Sequence, residues 1–250
     1  MIEAGIVPGG ESGGTHTSRT MMLRELRRLL SNCPSDASSE ELAAAVLVDN
    51  ALAKQSESSR QRSLRYLKEL YVLDRQALLY RALRDLWDAD EASQPLLALM
   101  CSLARDPLLR ATADTVLGVE PGRSVNASML ATAVEERFPG NYGDAVRNKV
   151  GRNAASSWTQ SGHLEGRSAK VRVRAVCRPA AVAYALMLGH LSDARGIGLL
   201  RTVWGRALDA PDHLIYEHGF AAAQRGWIEF RRAGEVVDVG FGWLLRPMEA

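Results

Sequence analysis

Two short stretches of period-two patterning interrupt a chain whose apolar residues otherwise recur every three or four positions. Each follows a helical run that stops at a glycine, Gly162 in one case and Gly226 in the other. In the first stretch, Val171, Val173 and Ala175 alternate with Arg172, Arg174 and Val176, the signature of a strand with one face turned inward. His163-Leu164-Glu165 reads as the strand before it, and Gly166-Arg167-Ser168-Ala169 as the turn between them. A chain of this kind is therefore mainly α, with β-hairpins attached to helix ends.

The helices before the first hairpin complete a recognisable order. Residues 125–138 carry Val125, Met129, Leu130, Ala133, Val134 and Phe138 on one stripe, with Ser124 as a candidate N-cap. Pro139-Gly140-Asn141 ends that helix. A second run covers 144–161, with Val146, Val150, Ala154 and Trp158 at i, i+4 and facing inward if the run is one helix. Alternatively Gly151 is the turn between two short helices, and 152–161 is the recognition helix. Gly162 fits a C′ position. Helix, helix and hairpin over 121–178 make a winged helix-turn-helix, a module that docks on nucleic acid.

Charge follows the same stretch. From 144 to 178 the basic residues are Arg147, Lys149, Arg152, Arg167, Lys170, Arg172, Arg174 and Arg178, against the acids Asp144 and Glu165, while the whole chain carries only +2. A local basic surface beside a groove-sized helix is the footprint of phosphate contact. The expected interface follows. Asn148, Arg152 and Thr159, with Ala155, form the outer stripe that meets base edges in the major groove. Arg147, Lys149, Arg167, Lys170, Arg172 and Arg174 meet phosphates from the helix and the wing. The competing reading is that a helix and hairpin of this type docks on protein, its Lys and Arg being a solvated face.

The remaining chain divides around this unit. Residues 1–20, rich in Gly, Ser and Thr, read as a flexible leader. Residues 21–120 read as a bundle of five or six helices, with starts at Ser38 or Ser39, after Gln55–Ser59, at Asp74, near Pro95 and at Asp106-Pro107. In 179–250, helices begin at Pro179, near Leu199 and at Pro211, and a second hairpin follows Gly226. Gln160-Ser161-Gly162-His163-Leu164-Glu165 resembles Gln224-Arg225-Gly226-Trp227-Ile228-Glu229. That likeness is either a duplicated winged unit or the glycine that any helix-to-hairpin corner wants. Glu229, Glu235 and Asp238 make the second hairpin less basic, which suits a protein partner.

Other chemistries find little purchase. Cys33, Cys101 and Cys177 are distant and odd in number, as expected of reduced thiols in a cytoplasmic protein. His213 and His218 are five apart, so they leave a regular helix on different faces and suit no zinc pair. Gly196-Ile197-Gly198 lacks the lysine and hydroxyl of a phosphate loop, and there is no Gly-x-Ser-x-Gly elbow. The expectation is of no enzyme, no cofactor and no metal. No apolar run is long enough for a bilayer, and no secretory signal is visible.

The order and spacing of several pieces resemble the BrxA family of BREX phage-defence systems. These are Asn50-x-Leu52, Ser56-x-Ser58-Ser59-Arg60, Leu96-Leu97-Ala98-Leu99-Met100-Cys101, the stretch from Asp106 to Leu117, and Gln160-Ser161-Gly162-His163-Leu164. Together they span about half the chain. The resemblance implies a small helical protein, partly similar in fold to the transcription antitermination factor NusB. It implies DNA binding, with RNA as the NusB-like alternative. The implied setting is a non-enzymatic part of an anti-phage island, beside a methyltransferase and other large components. The Gly-rich start and the long segment after Pro179 depart from the family's pattern, and bear on which partners are chosen.

Overall fold

Side-chain caps open three of the seven α-helices before residue 120 in the computed structural model, which describes residues 5–8, 13–167 and 169–247. After α1 (Leu23–Ser31), α2 (Ser39–Leu47) opens on a capping box: the Ser38 hydroxyl accepts from the Glu41 N–H at 3.2 Å, and the Glu41 carboxylate accepts from the Ser38 N–H at 2.8 Å. Ser56 caps α3 (Glu57–Tyr71). α4 (Leu78–Trp87) starts four residues beyond the predicted Asp74, because Leu73 holds a left-handed φ of 56° and the Asp74 side chain closes a turn onto the Gln76 N–H. Pro95 occupies the first turn of α5 (Gln94–Arg105). The predicted helix 108–117 is two pieces, α6 (Pro107–Ala111) and α7 (Ala113–Leu117), separated at Thr112, whose hydroxyl donates to the Leu109 carbonyl at 2.7 Å.

The winged unit follows. β1 (Ser124–Val125) leads into α8 (Ala127–Arg137), then α9 (Asp144–Gln160), β2 (Leu164–Glu165) and β3 (Lys170–Arg172). The sheet order is β1-β3-β2, all antiparallel, with Ser124 opposite Val171 and Leu164 opposite Arg172. Helix, strand, helix, helix and hairpin, with the first strand returning beside the last, is winged-helix connectivity. One sequence expectation changes here, and one pair of alternatives is decided in favour of the single helix. Ser124 and Val125 belong to a strand and Asn126 is the cap, its Oδ1 accepting from the Met129 N–H at 3.0 Å. α9 is one unbroken helix, so Gly151 is not a turn. A side chain at Gly151 would collide with the Ala127 carbonyl, and glycine is what lets α8 and α9 cross so closely.

α10 (Pro179–Leu191) is apolar on all sides, from Ala180 to Leu188, and such a helix has no face to give to water. It is buried among α4, α5 and the helices that follow it in the chain. The predicted helix 199–208 is α11 (Gly198–Arg201) and α12 (Val203–Arg206), broken at Thr202, which caps the second piece. α13 (Asp212–Gln224) leads to the two-stranded sheet of β4 (Glu229–Ala233) and β5 (Val236–Gly240). One apolar core runs from Ile6 to Leu244, so residues on both sides of position 178 share it. Leu108, Val134, Phe138 and Val150 form a smaller cluster beneath α8 and α9.

Both glycine corners are Schellman caps. The His163 N–H reaches the Trp158 carbonyl at 3.0 Å and the Gly162 N–H that of Thr159 at 3.1 Å. Trp227 and Gly226 repeat this on Ala222 and Ala223. The shared letters thus follow from local helix termination. Among the described residues the second hairpin has no third strand. Among the described residues, no helix is long and apolar enough to cross a membrane.

Candidate nucleic-acid interface

α9 presents three faces, and the tertiary fold assigns each a different neighbour. Val150, Ala154 and Trp158 point into the core, and the Trp158 indole N–H donates to Thr112 Oγ1 at 2.8 Å. Val146, expected beside them, is 38% exposed because the first turn of α9 extends past the core.

The second face is stitched to the segment 13–23. The Asn153 amide donates to the His16 carbonyl at 2.8 Å, Ser157 Oγ accepts from the Met21 N–H at 2.8 Å, and Gln160 Oε1 accepts from the Leu23 N–H at 3.0 Å. The described part of the predicted flexible leader is therefore fixed from Gly13 to Thr20. His16 is 0% exposed; its Nδ1 lies 2.7 Å from Asp106 Oδ2 and its Nε2 2.8 Å from Ser157 Oγ. The expectation failed because the contacts that order this segment lie 90 and 141 residues away in sequence. Residues 1–4 and 9–12 of the predicted leader lie outside the described residues.

Asp106, His16 and Ser157 have the connectivity of a nucleophile, base and orienting carboxylate. All three are buried, and Ser157 Oγ also donates to the Asn153 carbonyl at 3.0 Å while accepting from Met21. With its proton and lone pairs committed, the hydroxyl acts as a clasp. The His16 imidazole opposite Asp106, with the N–H groups of His16 and Leu109, holds the Asp106 carboxyl below its ordinary range despite its burial.

The third face is the exposed one, and it meets the wing. Asn148 and Arg152 are exposed, and Thr159 is half-buried at the wing's root. Ala155, expected on the outer surface, is buried at the floor of a cleft of about 720 Å³ between α9 and the wing. Arg152, Ser156, Arg167 and Lys170 line that cleft, and Val125 and Ala127 from the β1–α8 junction join Ala155 in its floor. Lys149, Arg167 and Arg174 are exposed, and none has a carboxylate partner among the described residues; Arg174 reaches only the Asp209 carbonyl, at 3.4 Å. Ser168, in the wing turn, lies outside the described residues.

Two expected phosphate contacts are withdrawn by the fold. Arg172 is 2% exposed, and its guanidinium grips Asp209 with two bonds of 2.8 and 2.6 Å while also donating to the carbonyls of Val116, His163 and Val173. Arg172 shares its face of β3 with Lys170, but the loop carrying Asp209 covers only the Arg172 end, so that guanidinium lies inside while Lys170 stays at the cleft. Arg147 forms ion pairs with both Glu135 and Asp144, and its cation pulls the Glu135 carboxyl below the ordinary range. Arg178 lies 3.5 Å from Asp90. Glu135, Glu136 and Asp144 give the N-terminal end of α9 an acidic margin beside Asn148.

Asp209 was not singled out in the sequence. It sits in a loop at φ 54°, accepts from the Ala175 N–H at 2.8 Å as well as from Arg172, and fixes the strand that leaves the wing. Beside it, His163 is buried with Nδ1 2.9 Å from Ser161 Oγ and Nε2 3.1 Å from the Ala207 carbonyl, and burial pushes its pKa down to about 4. No local pattern marks these residues; only Arg123, exposed next to β1, extends the basic run in a way the charge count would have shown. No protein-family model matches the chain, and no curated protein matches it.

Proposed function

We propose that this protein is a non-catalytic binder of duplex DNA that uses α9 and the wing. The observation that carries the reading is the set of Lys149, Arg152, Arg167, Lys170 and Arg174. Their charges are left without a carboxylate partner among the described residues, on and beside the one exposed face of a winged-helix recognition helix. Asn148 and Arg152 are the side chains offered to base edges, and the others serve phosphates. With so few base-reading groups, binding is sequence-tolerant. Duplex DNA is favoured over RNA because the A-form major groove is too deep and narrow for a helix. Three free, buried thiols suit the cytoplasm. The resemblance to the BrxA family supports an anti-phage island as the setting, with other defence proteins as partners.

The test is a gel shift at several salt concentrations with duplex DNA and a structured RNA competitor. Neutralising about four or five phosphates gives a slope of about −4 in log affinity against log salt. Binding that ignores salt, or RNA that competes better than duplex, overturns the proposal. A second reading, a docking subunit of a larger complex, draws on the acidic margin of Glu135, Glu136 and Asp144 at the start of α9. It predicts no duplex shift and a stoichiometric protein partner on co-purification.

A further inference from the structure

The cleft between α9 and the wing contains a lysine held unlike a solvated surface cation. Lys170 Nζ donates to Thr159 Oγ1 at 2.9 Å and to the Gly166 carbonyl at 3.2 Å. Thr159 gives its own proton to the Ala155 carbonyl at 2.8 Å, which leaves its oxygen free to accept. Gly166 takes φ +93°, where a side chain would run into the Ala169 carbonyl, so the turn that supplies the second acceptor requires glycine. An ammonium has three donors. Two are spent on neutral oxygens from two different elements, one remains, and the charge has no counter-ion among the described residues. Burial lowers the Lys170 pKa, as expected for a cation partly removed from water without a carboxylate. Arg152 and Arg167 stand at the rim, and Val125, Ala127 and Ala155 form an apolar floor. Glu165, the acid of the wing, is not among the cleft's lining residues.

We infer that this cleft seats one phosphate ester, with Lys170 as the fixed donor and Arg167 closing over it, while Arg152 at the rim stays turned to the bases. The inference rests on the duplex-binding reading, under which the ester is a single backbone phosphate of the strand passing between α9 and the wing. A pre-positioned cation loses little side-chain freedom on binding, so this phosphate contributes more than those met by Lys149 or Arg174 and sets the register of the protein on DNA.

The experiment is fluorescence anisotropy on the full chain with duplexes of about two helical turns, each carrying one neutral methylphosphonate at a different position. For wild type, one position weakens binding by about tenfold. In Lys170→Met, binding to the unmodified duplex weakens by a similar factor and that position no longer matters. Thr159→Val keeps the charge but removes an acceptor; it weakens binding several-fold and leaves the salt slope unchanged. It also serves if Lys170→Met does not fold. If wild type binds duplex and no position couples to Lys170, the phosphate seat is overturned and duplex binding stands. If wild type binds no duplex, a deoxynucleoside monophosphate is titrated by NMR. Shifts at Ala155, Gly166 and Lys170 that vanish in the variant keep the seat, with a free nucleotide as its source, and overturn DNA as the ligand. No shift overturns both.

Discussion

Arg172 and Lys170 sit two apart on one strand and have opposite fates. Lys170 turns to the cleft with an uncompensated charge, whereas Arg172 turns inward onto Asp209. Arg172→Met leaves Asp209 buried without its cation and is expected to cost about 3–5 kcal/mol of stability, measured by urea unfolding. Under the proposed duplex binding, the folded variant keeps the wild-type salt slope, because Arg172 makes no phosphate contact. His163 offers a pH test. Its folded pKa of about 4 lies below the ordinary 6.5, so the unfolded chain holds the extra proton between those values. The stabilisation is complete above pH 6.5 and is lost as pH falls from 6.5 towards 4, by on the order of 3 kcal/mol. Unfolding free energies at pH 7.5 and pH 5 should differ less in His163→Asn than in wild type.

α9 shows how one helix serves several neighbours. Its inward stripe, its stitched stripe of Asn153, Ser157 and Gln160, and its open stripe of Asn148 and Arg152 together leave no room for a general surface helix. The close crossing with α8 depends on Gly151, whose neighbour is the Ala127 backbone, which cannot rotate aside as a side chain can. Gly151→Ala is therefore expected to destabilise by about 1–3 kcal/mol, despite alanine's better helix propensity. Thermal melting checks the sign: a rise in Tm would show that α8 and α9 can separate at no cost.

Across the molecule, the parts are joined by buried polar clasps as well as by the apolar core. Asp106 caps α6 with Oδ1 and holds His16 with Oδ2, and His16 reaches Ser157 on α9. Asp209 does the equivalent for the wing from the loop before α13. α9 and the wing are thus each anchored to a segment far away in sequence. His16→Ala leaves Asp106 buried and short of its partner, at a cost of roughly 3 kcal/mol. Hydrogen exchange should show the Met21 and Leu23 amides, bonded to Ser157 and Gln160, losing protection out of proportion to the amides of α9. Uniform loss of protection would mean that the clasp serves global stability alone.

Much of the fold was legible because the relevant forces are local. The capping box at Ser38, the proline in the first turn of α5, the glycine stops at 162 and 226 and the periodicity of Val150, Ala154 and Trp158 act within one helical turn, so the residue string displays them. The exposed cations Lys149, Arg152 and Arg167 were readable for the same reason: nothing distant claims them. Arg172, Ala155, Val146 and His16 were not readable, because burial and ion pairing depend on what lies opposite in space. Lys170 and Arg172 share one face of β3, so their fates are set by what the chain later lays over each end of that face. Here Asp209 arrives 37 residues downstream and takes Arg172 out of solvent, while Lys170, two positions earlier, has no carboxylate partner among the described residues.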